Sequence, residues 1–305
     1  MRLLILANSD KPAVAEALRR MLPWIEQKAL VVAVDCDHST DFSQVHADAV
    51  LVLGGDGTLL SAARRLRGRQ IPILGVNFGR LGFLASFTPQ QFTERIDDFV
   101  AGKLPVSPRQ VIEASVLAKD VACNFSDAGA LEKHRRFVAT ALNDTVITAG
   151  PPFHMVELEI AADGAGREAS EGGTGVRYFG DGVIVSTASG STAYNVSAGG
   201  PIISPGVDAW CVTPICPHSL SFRPVVISSN VTVLITATRV NEGTTVFCDG
   251  QESTRLLQGE KVVIRKSPHP VLLIENPGSR EWHTLAEKLN WAASPGYNKG
   301  NKSIH

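Results

Sequence analysis

An unbroken apolar run, Ala49–Leu53, ends in Gly54-Gly55-Asp56-Gly57-Thr58, after which Leu59, Ala62, Ala63 and Leu66 recur at helical spacing. The run predicts a buried strand, and the repeat predicts a helix that starts directly after the glycine turn. Strand, turn and helix start in this order aim backbone N–H groups and the positive end of a helix dipole at an anion. The glycines let backbone approach a ligand closely. A lone carboxylate, Asp56, sits inside this anion-suited turn, where it would repel phosphate unless a metal ion or a proton-transfer role compensates. Asp56 is therefore a candidate functional residue; a plain turn or capping aspartate is the competing reading.

The neighbouring segments extend the pattern. Leu3–Ala7, Ala29–Val34 and Ile71–Val76 are further apolar runs. Helical patterns start near Pro12 and at Thr88-Pro89. Continuous runs alternating with helices predict a doubly wound parallel sheet covered on both faces. Such sheets bind ligands outside the carboxyl ends of their strands, the edge that carries Gly54–Thr58 and Asn77–Gly82. After Leu104–Pro108, read as a linker, the pattern changes to short β-rich runs, several alternating with period two, as in Val156–Ile160 and Val231–Ala237. The expected architecture is an α/β N-terminal domain over residues 1–108 and a mostly-β, sandwich-like domain over 109–274. The chain end from about 275 to 305 is expected to pack back onto the first domain. Cys123–Arg136 is read as a long hairpin loop, Val271–Ile274 as one of the later β strands, and Asn290–His305 as a fraying tail.

Bulk properties narrow the partners. A formal net charge of -1 offers nothing to nucleic acid or to an anionic membrane surface. No apolar run reaches the roughly 18–20 residues of a membrane helix. Leu3–Ala7 is too short for a signal-peptide core. The five cysteines are scattered, without a C-x-x-C, and predict free or buried thiols in a reducing cytoplasm. Cys211, Cys216 and His218 lie on a Pro-interrupted run without a second ligand cluster, and are not read as a zinc site.

A second chemical cluster lies in the β-rich half. Gly180-Asp181-Gly182 leads into the apolar Val183–Val185, then into Ser186-Thr187-Ala188-Ser189-Gly190-Ser191-Thr192-Ala193-Tyr194-Asn195. Hydroxyls at an expected helix start suit phosphate or ribose, although turn chemistry uses the same residues. No Gly-x-Ser-x-Gly elbow, no Gly-x-x-x-x-Gly-Lys-Ser/Thr loop and no Gly-x-Gly-x-x-Gly after the first strand is found. Two anion-suited turns, one per domain, predict a phosphate-bearing ligand in the cleft between them.

In these motifs the chain resembles the NAD kinase family. The resemblance rests on Gly54–Thr58, on Gly75-Val76-Asn77-Phe78-Gly79-Arg80-Leu81-Gly82-Phe83-Leu84, on Asp181–Tyr194, on Ala198–Pro201 and on Pro214–Ser221, in that order. It implies an ATP-dependent enzyme that phosphorylates the 2′-hydroxyl of the adenosine ribose of NAD, giving NADP. It further implies a divalent cation, Mg2+ or Mn2+, whose protein ligands stay open, and a homo-oligomer, dimer or tetramer. Asp56 would accept the hydroxyl proton; a carboxylate is a weak base toward an alcohol, but in a loose phosphoryl transfer positioning outweighs basicity. Gly54, Gly55, Gly57 and Thr58 would meet the donor phosphates. Gly57, Asn143, Asp144, His154, Asp181, Ser189, Thr192, Ala193, Tyr194, Asn195, Val196, Ser197 and Gln251 would contact NAD with Asp56, Tyr194 from a neighbouring subunit. Asp144 is one methylene shorter than the family's usual Glu. A lipid or sugar kinase sharing Gly-Gly-Asp-Gly-Thr, or a nucleotide-binding sensor without turnover, are the other readings.

Overall fold

The computed structural model describes residues 1–9, 11–37, 39–79, 82–119, 121, 125, 127–163, 175–279 and 281–289. The first stretch runs β1 (Arg2–Ala7), α1 (Pro12–Glu26), β2 (Leu30–Asp35), β3 (Ala49–Leu53), α2 (Asp56–Arg65), β4 (Ile73–Val76), α3 (Pro89–Val100) and β5 (Val106–Arg109). The chain continues through β6 (Ile112–Leu117), α4 (Ala128–His134), β7 (Arg135–Ala141), β8 (Asp144–Thr148), β9 (Val156–Asp163), β10 (Val176–Gly180) and β11 (Gly182–Thr187). It ends with α5 (Tyr194–Ser197), β12 (Ala209–Ile215), β13 (Val225–Ser228), β14 (Thr232–Arg239), β15 (Thr245–Cys248), β16 (Glu252–Arg255), β17 (Lys261–Lys266), β18 (Val271–Ile274) and α6 (Glu281–Leu289).

The first sheet has the order β2-β1-β3-β4-β18-β5. All its pairings are parallel except the edge pair of β18 with β5. β3 is buried along its whole length because helices cover both faces. Leu3, Ile5, Leu51 and Leu53 pack toward Phe92, Ile96 and Phe99 of α3, while Leu4, Leu6, Val50 and Val52 pack toward Leu59, Ala62 and Ala63 of α2. Each such buried aliphatic side chain stabilises by about 1.5–3 kcal/mol. α3 begins at a capping box between Thr88 and Gln91, which satisfies two otherwise orphaned backbone donors.

Two six-stranded antiparallel sheets follow, β10-β9-β14-β17-β6-β7 and β13-β12-β11-β8-β15-β16. One core joins them. Ile112, Ala114, Val116, Val233, Ile235 and Ala237 from one sheet meet Val183, Val185, Trp210 and Val246 from the other, the alternation that period two dictates.

Three expectations are corrected. Leu104–Pro108 is not wholly a linker, since β5 starts at Val106 and carries Pro108 on a sheet edge, where a missing N–H costs no ladder bond. Within Cys123–Arg136, α4 forms behind Asp127, whose carboxylate caps Gly129 N–H, and β7 begins at Arg135. Val271–Ile274 is a strand, but it pairs with β4 and β5 in the first sheet rather than with the later strands. Cys123, Asn124 and Ser126 of that loop, Arg80, Leu81 and the tail 290–305 lie outside the described residues.

Candidate functional site

Asp56 is the first residue of α2, with Gly55 preceding it in extended conformation. Its carboxylate is clamped by the loop after β4. Oδ2 accepts from Phe83 N–H at 2.8 Å, and Oδ1 accepts from Leu84 and Ala85 N–H at 3.2 and 2.9 Å. The two motifs of the first domain are therefore one device. Gly82 explains itself in the same contact, because a Cβ there would lie 1.8 Å from Asp56 Oδ1. Gly55 and Gly57 differ, since a Cβ on either would meet no protein atom within 4 Å. The packing of the chain does not demand glycine there, and both positions border open space.

Two cavities flank the clamp. One, of about 450 Å³, is lined by Asn8, Gly57, Thr58, Ser61, Arg64 and Gln251. Gln251 follows β15 and reaches across to α2, its Nε2 donating to Gly57 O at 3.0 Å while its Oε1 accepts from Arg64 Nε at 3.3 Å. The other cavity, of about 320 Å³, is bounded by Gly82, Phe83 and Leu84, by Ser189 and Thr192, and by Thr284 and Leu285 of α6.

Asn143 and Asp144 open β8 and meet the hydroxyl-rich block directly. Thr187 N–H and its Oγ1 donate to Asn143 O and Leu142 O at 2.8 and 2.6 Å. Gly190 packs so closely that a Cβ would lie 2.0 Å from Asn143 O. Asp249, beside Gln251, accepts from the N–H groups of Leu142, Asn143 and Asp144 at 2.8, 2.8 and 3.1 Å. Asp144 itself is buried. Burial first, and the neighbouring Asp249 charge second, push its carboxyl up to about 7, against the pull of Tyr194 N–H. Burial also raises Asp249 despite its three N–H donors.

The expected residues divide into two groups. Asn143, Asp144, Ser189, Thr192, Ala193, Tyr194 and Gln251 lie around the clamp and its cavities or on the segments packed against them. Asp181 does not join them. It precedes β11, whose other end carries Ser186 opposite Asp144, about 17 Å away at strand rise. There Ala149 N–H bonds Asp181 O, and the Asp181 carboxylate raises the nearby Cys216 thiol through their hydrogen bond. His154, exposed, lies in the loop after β8 toward that same end, its carbonyl accepting from Asn241. Asn195 is fully buried and its amide is occupied internally, donating to Ser191 O and Pro201 O and accepting from Thr213 Oγ1. Val196 is half-buried and Ser197 exposed. The expected helix start after Ser191 is a single turn, α5, preceded by a 3-10 turn at Ser189–Thr192. That is too short to supply a strong dipole.

Sequence reasoning gave no role to Arg64, Gly82, Phe83 or Asp249. Arg64 could have been found, since Gly57, Ser61 and Arg64 share one helix face. Among the described residues no three His, Cys, Asp or Glu gather to hold a metal ion. The clamp leaves Asp56 little free lone-pair capacity. The residues thus fit a hard cation carried mainly by donor phosphates and water, as Mg2+ is commonly held, rather than one caged by protein.

The ATP-NAD kinase N-terminal domain matches residues 36–104 and the ATP-NAD kinase C-terminal domain matches 142–276. An NAD kinase from Rhodopirellula baltica is 34% identical over 291 residues, covering 95% of this chain and 87% of its own length. The crystal structure of yeast NADH kinase complexed with NADH shares the fold with a TM-score of 0.79 at 23% identity, over 98% of this chain and 90% of that one. An NAD kinase from Archaeoglobus fulgidus in complex with ATP aligns with a TM-score of 0.66 at 27% identity, over 91% and 94%. With both domains matched in order and a relative aligned along most of its length, the chain belongs to the ATP-NAD kinase family.

Proposed function

We propose that the protein transfers the γ-phosphoryl of ATP to the 2′-hydroxyl of the adenosine ribose of NAD, giving NADP. The observation that carries this reading is the Asp56 clamp, set between one cavity on the α2 side and another on the Ser189–Thr192 side. Residues 1–108, with the chain end packed back on them, serve the donor. Gly55 and Gly57 offer backbone N–H groups and Thr58 its hydroxyl to the phosphates, while Gly54, whose N–H bonds Val76 O at 2.9 Å, shapes the turn that faces them. The β-rich half, from β6 to β17, holds the dinucleotide through Asn143, Asp144, Ser189, Thr192, Ala193, Tyr194 and Gln251, with Asn195 bracing the turn. A divalent cation, Mg2+ or Mn2+, supplies charge neutralisation on the transferring group.

Asp56 points one oxygen lone pair at the ribose hydroxyl and takes its proton as the new bond to phosphorus matures. Three N–H donors fix the carboxylate for this, so no reorganisation is needed at the moment of transfer. His154 and Asp181 lie toward the far end of β11 from Asp144 and the Ser189–Thr192 turn. They fit a homo-oligomer in which each copy completes its neighbour's site, and the exposed Phe153 and Phe179 beside them offer the apolar contact surface. Location in the cytoplasm follows from the scattered thiols and the substrates. Purified protein supplied with NAD, ATP and Mg2+ should form NADP, read through an NADP-specific dehydrogenase, and Asp56→Asn should abolish it. Wild-type turnover by Asp56→Asn would remove Asp56 from the reaction; tight NAD binding without product would make the chain a sensor.

A further inference from the structure

Lys288, in the last turn of α6, lies beyond both family-matched segments. Its Nζ stands 4.3 Å from the centroid of the Phe83 ring. Phe83 is also the residue whose N–H holds Asp56 Oδ2 at 2.8 Å, so one residue presents an N–H to the carboxylate and an aromatic face to the ammonium. The helix is seated by neighbours of Lys288 on the same face. Thr284 and Leu285, four and three residues earlier, line the cavity shared with Phe83, Ser189 and Thr192, and Leu285 is buried. Burial lowers the pKa of the ammonium, and the Asp56 charge counters it.

A bland account exists, in which a lysine stem snorkels along apolar surface and its cation–π contact merely pins the helix. Such a lysine normally carries its charge outward into water. This one is half-buried and rests its charge on the ring of the residue whose N–H holds the Asp56 carboxylate, on the side of the cavity lined by Ser189 and Thr192. Phosphoryl transfer spreads negative charge over the equatorial oxygens of the moving group, and a fixed cation at that point lowers the barrier.

We propose that Lys288 is a phosphoryl-binding residue of the transfer site, its ammonium held on the Phe83 ring beside Asp56 to meet the oxygens of the transferring group. In the step it assists, the ribose 2′-oxygen bonds to the γ-phosphorus while the bond from that phosphorus to the β–γ bridging oxygen breaks. ADP leaves with the electron pair, the hydroxyl proton passes to Asp56, and Lys288 keeps its own protons throughout.

This rests on the NAD kinase reading, and the test separates the two. Wild type, Lys288→Met and Lys288→Arg are assayed for NADP formation at saturating NAD and ATP, with thermal unfolding and the NAD dissociation constant measured on each. Methionine keeps the stem and its contact with Phe83 while removing the charge. Lys288→Met should lower kcat about 100-fold or more, the scale of a lost transition-state donor, and leave NAD binding within about three-fold. Lys288→Arg should recover at least about ten-fold of that loss, since a guanidinium keeps the charge and the ring contact. Lys288→Met with kcat within three-fold of wild type overturns the proposal, and so does an arginine variant as slow as the methionine one. A parallel fall in melting temperature and NAD affinity reduces Lys288 to a packing role. No NADP from the wild type removes the reaction itself and this role with it.

Discussion

Gly82→Ala isolates the clamp on Asp56 from the chemistry of the carboxylate. A Cβ at this position would lie 1.8 Å from Oδ1, 2.6 Å from Cγ and 2.9 Å from Oδ2 of Asp56. Neither partner has slack, because Gly82 is buried and Asp56 is fixed in the first turn of α2. To reach ordinary contact the carboxylate or the loop must retreat by more than about 1 Å, as close-packed interiors transmit such strain rather than absorb it. The retreat breaks or lengthens three hydrogen bonds to an ionised group, each contributing about 1.5–3 kcal/mol. Misplacing a reacting group by about 1 Å costs on the order of 100-fold in rate, so kcat/KM for NAD should fall about 100-fold with the carboxylate still present. The fall should lie mainly in kcat, because the surfaces of the Ser189–Thr192 block are unaltered. Steady-state kinetics, with circular dichroism to confirm folding, measure this. A folded Gly82→Ala enzyme within three-fold of wild type would refute the claim that the loop positions Asp56.

Further outcomes follow from other contacts. The raised Asp144 carboxyl keeps its proton in the fold at pH values where the unfolded chain has released it. Its stabilising contribution is therefore full below about pH 4 and is lost as pH rises through about 7; relative to wild type, Asp144→Asn should gain about 3 kcal/mol between pH 5 and 8 in urea unfolding, and a pH-independent difference would contradict the assignment. Arg65 pairs at 2.5 Å with the buried Asp35 and stacks on Phe42 at 3.9 Å. Arg65→Met should cost about 3–5 kcal/mol in the same measurement by stranding that carboxylate, and a loss below about 1 kcal/mol would show the pair to be dispensable. Gln251→Ala removes the bridge to Gly57 O and Arg64; it should lower kcat/KM for NAD roughly five- to ten-fold, the effect of a hydrogen bond contributing about 1 kcal/mol, without changing the melting temperature. Equal kinetics would take Gln251 out of the dinucleotide site.

The sequence was most legible where physics leaves one solution. β1, β3 and β4 declare themselves because strands covered on both faces must be apolar throughout, and α3 because Thr88-Pro89 opens it. β5 was hidden by Pro105 and Pro108, which read as punctuation until an edge position makes them harmless. β8 begins at an aspartate and β12 carries Pro214, so neither shows clean alternation, although both pair fully with β11. α4 was lost in a polar stretch whose only signal was the Asp127 cap. At the site, contiguous motifs exposed Asp56 and the Ser189–Tyr194 block. That Asp181 lies a whole strand away from the Ser189–Tyr194 block needs only a count of residues along β11, although the motif that joins them reads as one contiguous unit. Lys288 belongs to no motif, and nothing short of three dimensions brings residue 288 to residue 56.

The placement of β18 between β4 and β5 governs how the molecule is made and how it moves. During synthesis, β4 and β5 await a neighbour that emerges about 160 to 200 residues later, a wait that exposes unpaired strand edges. The chain must also cross between its halves twice, once from β5 into β6 and once from β17 back into β18. The two crossings run side by side, joined where Ser267 N–H bonds Val111 O at 2.8 Å. A double strap of this kind resists twisting and sliding more than bending, which makes bending about Val111 and Ser267 the expected motion of one half against the other.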